Sequence, residues 1–423
     1  MKKIGILFGQ ENTFPQAFVD RVNQKAVDGI TAEFVNIEQV EQAVPCGYDV
    51  IIDRISQDVP FYRAYLKNAA LTGTVVINNS FWWSADEKFF NNALAVQLGV
   101  PVPKTLLLPS KHRPDDTTEN SFRNLALFDW QKAFDHIGFP AFMKPHAGGG
   151  WKSVYKVDNP EQAWRAYDET GQLVMLYQEA IEFEDYFRCY CLGGKHVLIM
   201  PYEPRNAPHE RYQTTMKTEG EAGQKLLDTI KDYTLRLCQG LGYDFNTVEF
   251  AVRNGVPIAI DFGNPAPDAD INSVGAENFE WVVEHAAQLA IERAKAHRPG
   301  RTNLTWGTFV QDSVRAAPKG SPTIGANVQM GQSVRETNDL GATGAPQPAA
   351  KKAAAKKAAG APTPEPPTGE VSASEQSAAK KAAAPAKKPA AAKAPAAAKA
   401  PAAAKAAAPK APAAKKATTK KGE

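Results

Sequence analysis

Apolar residues in the first hundred positions come in short runs separated by helical periods. Residues 3–8 (KIGILF) predict a buried strand, and residues 12–26 a helix. Residues 32–35 predict a second strand and 49–55 (DVIIDRI) a third. A helix is expected over 58–71, with Pro60 tolerated in its first turn, and a fourth strand over 74–78. Strands alternating with helical periods imply a small parallel α/β sheet. Ser84 and Glu87 match the S-x-x-E capping box and predict a helix from there to Gly99. Pro101 and Pro103 then force extended chain, which sets the first boundary.

The next stretch reads as α+β. Strands are expected at 140–146 and 154–157 around a glycine loop, and at 173–178 and 186–192. Asn159-Pro160 opens a helix reaching Thr170. Further on come a strand at 197–201, a helix over 219–239, a hairpin at 247–263 and a helix over 276–297. The expected organisation is an N-terminal α/β domain (1–100), an α+β segment (101–192) and a second one (193–300). A linker follows (301–340), partly docked through Trp306 and Phe309, and then a tail (341–423).

Charge divides the chain in two. The 423 residues carry 49 basic and 46 acidic groups, a net +3. From Gly341 onward there are 16 Lys and 4 acidic residues, so the tail carries +12 and the preceding 340 residues −9. Ala, Lys and Pro dominate that tail, a composition that buries too little apolar surface to offset chain entropy, so disorder is expected. Its partners would be nucleic acid or another polyanion, bound weakly and without sequence preference.

Four cysteines are too few for a disulfide framework, and Cys189 and Cys191 fall on one face of a strand as core residues. The seven His show no zinc spacing. No run of about 20 apolar residues is present, and the apolar run after Met1 is too short for a signal core. A reducing cytoplasm is the expected compartment.

Two stretches carry candidate chemistry. In 139–154 a strand ends at Lys144 and runs into Gly148, Gly149 and Gly150. Such glycines let backbone N–H groups approach phosphate oxygens, and Lys144 adds a point charge. An ordinary glycine hairpin with a surface lysine has the same pattern. In 247–265 two strands flank Asn254-Gly255. A two-residue turn would pair Arg253 with Val256 and put Glu249 and Asp261 on opposite faces. A three-residue loop would pair Val252 with Val256 and leave the two carboxylates diagonal on one face, roughly 7–8 Å apart and able to share a cation. The alternative is two solvated acids on an exposed sheet face. Between these stretches an acidic connector leads to a strand on which Arg188 shares a face with Tyr186 and Tyr190.

The order of these motifs resembles the ATP-grasp superfamily, near the ribosomal-protein glutamate-ligase branch. The motifs are Asp86-Glu87-Lys88, Gly99-Val-Pro-Val-Pro-Lys104-Thr105, Pro140 to Pro145 with its glycines, and Gln178-Glu179-Ala180-Ile181. Glu184 to Arg188, Glu249-Phe250 and Asp261-Phe262-Gly263-Asn264-Pro265 complete them. The resemblance covers residues 3 to about 297. It implies an ATP-grasp fold behind a small N-terminal α/β domain, with ATP between two α+β subdomains. It further implies that Lys88 and Lys144 contact ATP phosphates under a lid of Gly148, Gly149 and Gly150. Gln178, Glu179, Ala180 and Ile181 would hold adenine, and Glu184 the ribose. Arg188 would steady the transferred phosphoryl group, and Glu249, Asp261 and Asn264 would bind Mg²⁺ or Mn²⁺. The last motif departs from the family's Glu-x-Asn, and Asn264 reaches the metal face only if Gly263 bulges the strand.

The implied activity is ATP-dependent ligation of a carboxylate and an amine, small molecule or peptide, through an acyl phosphate. Arg205 and Arg211, in a loop-like run after a strand, are candidates for the substrate carboxylate. The alternatives are a nucleotide-binding module without turnover and a protein whose basic tail is primary.

Overall fold

Among the described residues three four-stranded sheets form, each from neighbouring stretches of sequence. The computed structural model describes residues 1–84, 87–207, 210–214, 218–299, 312–313 and 315–318. Trp306, Phe309 and the tail from Gly341 lie outside the described residues.

The first sheet is parallel, in the order β2-β1-β3-β4. It comprises β1 (Lys2–Leu7), β2 (Ile30–Phe34), β3 (Val50–Asp53) and β4 (Val75–Ile77). Helix α1 (Phe14–Gln24) buries Phe14, Phe18 and Val22, a four-residue rhythm that keeps them on one face. Helix α2 (Pro60–Leu71) starts with its proline at the first position, where no N–H is needed.

A short helix α3 (Ser80–Trp83) precedes α4 (Lys88–Gln97). Here the expected capping box fails. Ser84 closes α3, and Glu87 stands at the N-cap of α4 without a side-chain cap bond. Its carboxylate instead meets His146 Nε2 at 2.9 Å.

The second sheet runs β5-β8-β6-β7, all antiparallel. Its strands are β5 (Thr105–Leu108), β6 (Ala141–Pro145), β7 (Tyr155–Val157) and β8 (Met175–Glu179). Helix α5 (Trp130–Ile137), absent from the sequence-based expectation, opens where Asp129 accepts from the Lys132 N–H. Helix α6 (Pro160–Asp168) opens on Asn159 in the same way.

The third sheet has the order β10-β9-β11-β12, from β9 (Asp185–Leu192), β10 (His196–Pro201), β11 (Phe245–Arg253) and β12 (Val256–Asp261). Strand β9, expected with the segment before residue 192, therefore belongs to the last sheet. Alternation gives this sheet two unlike faces. Phe187, Cys189, Cys191, Val248, Phe250 and Ala259 share a core with α4 and helix α7 (Gly220–Leu241). The cysteines are free and buried, as expected of core residues. On the other face Tyr190, Leu192 and Phe245 join the core of the first sheet. After the short helix α8 (Ile271–Val274), helix α9 (Ala276–Ala296) fills that core with Val282, Val283, Ala286 and Ala290. The N-terminal sheet thus shares its core with α9.

Buried Asn78, just past β4, locks this junction. Its Nδ2 donates to the carbonyls of Phe245 (2.6 Å) and Pro265 (2.8 Å). Its Oδ1 accepts the N–H groups of Asp244 and Phe245, both at 2.8 Å. No described helix is long and apolar enough to cross a membrane.

Candidate active site

The polar centre of the third sheet is one row across three strands. Arg188 on β9 pairs with Glu249 on β11, and Glu249 pairs with Asp261 on β12. The hairpin takes the two-residue turn of the first alternative and reaches this register through a bulge that neither alternative contained. Asn254 and Gly255 form a two-residue turn, both with positive φ, and Arg253 pairs with Val256. That register alone would turn Asp261 away from Glu249. A bulge at Ile260 restores it, so Phe250 pairs with Ala259 and Glu249 faces Asp261. Strand β12 ends at Asp261, so Gly263 lies past it, and the bulge at Gly263 on which Asn264 depended is not part of the paired strand.

Opposed carboxylates need cations. Arg188 Nη1 stands 3.4 Å from Glu249 Oε1, and its Nη2 donates to Thr247 Oγ1 at 3.3 Å. Tyr186 donates its hydroxyl to Glu249 Oε2 at 2.7 Å. Burial still pushes the Glu249 carboxyl up, against Arg188, with the Asp261 charge adding to the rise. Burial works against the Arg188 charge, but Tyr212, Glu249, Tyr202 and Tyr190 outweigh it and hold the guanidinium charged. Arg188 Nε and the Tyr212 hydroxyl are buried and meet no partner among the described residues.

Two lysines close the row from other elements. Lys88, first residue of α4, places Nζ 3.9 Å from Asp261 Oδ1. Lys144 comes from β6. Burial pulls it down to about 8, helped by Lys88 and opposed by Asp261 and Glu249. A small cavity joins Lys88 and Lys144 to Asn91, Asn92 and the 260–263 stretch. The end of β6 is tied to α4 here: Lys88 N–H donates to the His146 carbonyl at 2.9 Å, and His146 also meets Glu87. Gly148, Gly149 and Gly150 lie in the exposed loop just beyond.

The remaining expected residues are dispersed around this centre. Gln178 is buried and donates to Thr105 Oγ1 at 2.8 Å. The N–H groups of Glu179 and Ala180 go to the carbonyls of Lys104 and Pro140. Glu179's carboxylate pairs with Arg253 at 2.7 Å. Among the described residues the Ile181 N–H meets no acceptor. Glu184 accepts from the Asn254 N–H at 3.1 Å, at the hairpin turn. Asn264 uses its N–H on Asn246 Oδ1 (2.9 Å) and its Nδ2 on the Thr247 carbonyl (3.2 Å). Arg205 is bidentate to Glu203, both bonds at 2.6 Å, and lies over the Phe183 ring. Arg211 bonds the Tyr202 hydroxyl at 3.3 Å and lowers the Glu249 carboxyl by its charge.

Sequence reasoning missed Asn91 and Asn92. Their spacing from Lys88, three and four residues along one helix face, is the signal that would have found them. Among the described residues no three His, Cys, Asp or Glu side chains gather as a metal cluster. The available set is two facing carboxylates and nearby carboxamide oxygens, a hard-oxygen set of the kind Mg²⁺ prefers.

No family model matches the sequence, and no curated protein matches it. In structure the chain is similar to solved ATP-grasp ligases. The ATP-grasp ligase PsnB, complexed with minimal precursor, Mg and ADP, is 14% identical, covering 69% of this chain and 98% of that one, with a TM-score of 0.46. A RimK domain ATP-grasp protein from Sphaerobacter thermophilus is 15% identical over 68% and 99% of the two chains, with a TM-score of 0.48. The D-alanine–D-alanine ligase of Bacillus anthracis is 14% identical over 70% and 98%, with a TM-score of 0.47.

Proposed function

We propose that this protein is an ADP-forming ligase that joins a carboxylate to an amine at the expense of ATP. The observation that carries this reading is the convergence at one sheet row of Arg188, Glu249 and Asp261 with Lys88 and Lys144 from two other elements. Two ammonium groups beside two facing carboxylates suit a polyphosphate with its cation better than either charge alone.

Glu249 and Asp261 would hold Mg²⁺ or Mn²⁺, which when bound neutralises β- and γ-phosphate oxygens. Lys88 and Lys144 take the remaining phosphate charge. Base and ribose would lie along the 178–184 connector, where the Ile181 N–H is the donor on offer and Glu184 flanks the hairpin turn. The substrate carboxylate oxygen attacks the γ-phosphorus and ADP leaves. The amine nitrogen then attacks the acyl carbon, phosphate departs with its oxygen, and the nitrogen loses a proton. Arg188, buried and held charged, faces the place where negative charge develops. Arg211 is the better substrate-acid candidate, because Arg205 is already neutralised by Glu203.

The test is ADP release by the full chain with Mg·ATP against pooled amino acids and short peptides. Lys144→Ala is expected to weaken ADP binding severalfold or more. Glu249→Gln is expected to abolish Mg²⁺-dependent turnover yet melt no lower than wild type, because burial disfavours its charge. Nucleotide binding without ADP release from any pool would leave a binding module. Normal turnover by Glu249→Gln would remove the carboxylate pair from the site.

A further inference from the structure

The carboxamides of Asn91 and Asn92 stand in the phosphate cavity with no task in the scheme above. Both are buried, and both line the cavity with Lys88, Lys144 and Asp261. Asn92 spends its Nδ2 on the Lys88 carbonyl at 2.7 Å, which holds the first turn of α4. Among the described residues neither Asn91 Oδ1 nor Asn92 Oδ1 receives a hydrogen bond. A buried oxygen left without a partner bears its desolvation penalty uncompensated. Two on adjacent residues beside a carboxylate point to a cation or donor that belongs there.

Two features choose Asn91. It lies one turn along α4 from Lys88, whose Nζ stands 3.9 Å from Asp261 Oδ1. Gly263 yields space to it: a Cβ at residue 263 would come within 2.8 Å of Asn91 Nδ2.

We infer that Asn91 Oδ1 ligates the divalent cation held by Asp261 and Glu249, supplying an amide oxygen from helix α4 to a site otherwise built on the β11–β12 hairpin. The inference rests on the metal–nucleotide reading above and adds a ligand to it. A helix-borne ligand next to Lys88 would couple the position of one phosphate lysine to cation occupancy.

The experiment is Mn²⁺ titration of the full chain with ADP, following free Mn²⁺ by electron paramagnetic resonance. Asn91→Ala is expected to weaken Mn²⁺ binding about tenfold or more. Asn91→Asp keeps the oxygen, adds charge, and is expected to hold or tighten binding. Gly263→Ala leaves Asn91 intact but displaces its amide, and is expected to weaken binding as Asn91→Ala does. If Asn91→Ala misfolds, wild-type affinity in Gly263→Ala, or weaker binding in Asn91→Asp than in the wild type, overturns the inference in its place. Wild-type affinity in Asn91→Ala, or weaker binding in Asn91→Asp than in Asn91→Ala, would overturn the inference alone. The latter would mark the amide nitrogen, on a phosphate oxygen, as the contact. Failure of the wild-type protein to bind Mn²⁺ at all would overturn the metal reading, and this inference with it.

Discussion

At the scale of single residues the site is defined by groups whose charge the free protein disfavours. Burial lowers Lys144 to about 8, from an ordinary 10.5, and raises Glu249. Bound phosphate would favour charged Lys144, so nucleotide binding takes up a proton above about pH 8. Affinity for ADP is then expected to fall as pH rises through that range, by up to about tenfold per unit. On the acid side a bound cation competes with the proton on Glu249, so metal affinity falls as pH drops. Calorimetric titration of Mg·ADP across this range checks both limbs. Lys144→Arg, which keeps its charge, should flatten the alkaline limb; an unchanged limb would show that another group titrates. The ligand-free fold has the opposite dependence on Lys144, gaining stability as pH rises through the same window, because the unfolded chain holds that proton longer. These residue types were legible in the sequence, since Lys before glycines and paired acids on a hairpin each carry a mechanism. Asn91 and Asn92 were missed, because their spacing from Lys88 on one helix face takes on meaning only once the strand end beside that face is known.

At the scale of elements the hairpin decides whether the site exists. Its strands were legible as apolar runs around Asn254-Gly255, but its register was not. Turn length and bulge position compensate each other, and only together do they bring Asp261 opposite Glu249. The capping-box expectation failed for a related reason: a contact distant in sequence, His146, took the Glu87 carboxylate that a local rule assigned to the helix start. Helix α5 escaped because its stripe of Ala133, Phe134 and Ile137 is short and follows a long polar stretch. Gly255 has a φ of 71° with open space around it, so its limit is conformational rather than steric. Gly255→Val is expected to cost about 1–2 kcal/mol or more of stability, since a β-branched residue resists the left-handed region. It should also weaken Mn²⁺ binding by loosening the register, measurable by thermal melting and the titration above. A variant that melts and binds as wild type would show that the register is set elsewhere.

At the scale of the whole molecule the acidic body and basic tail call for separate tests. The 16 lysines of the tail come without arginine or aromatic residues, so they offer charge but neither base stacking nor bidentate readout. Duplex DNA binding by the full chain is expected to fall steeply with salt, adding about 0.9 to the log–log slope per phosphate neutralised. A chain ending at residue 340 should lose that binding and keep ADP formation, because every proposed site residue precedes it. Equal DNA binding by both would place the contact in the body. Domain limits were the least legible feature at this scale. Composition marks the tail plainly, whereas the limits expected near 100 and 192 cut through shared cores that only tertiary packing reveals. The core joining the first sheet to α9 has a temporal meaning as well. Strand β1 ends at Leu7, and the helix that covers its sheet begins at Ala276. At typical elongation rates the ribosome needs roughly 15–50 s to bridge that interval. Throughout it the earliest-made strands have only α1 of this core's helices in place, so the nascent chain needs chaperone cover for that apolar face until α9 emerges.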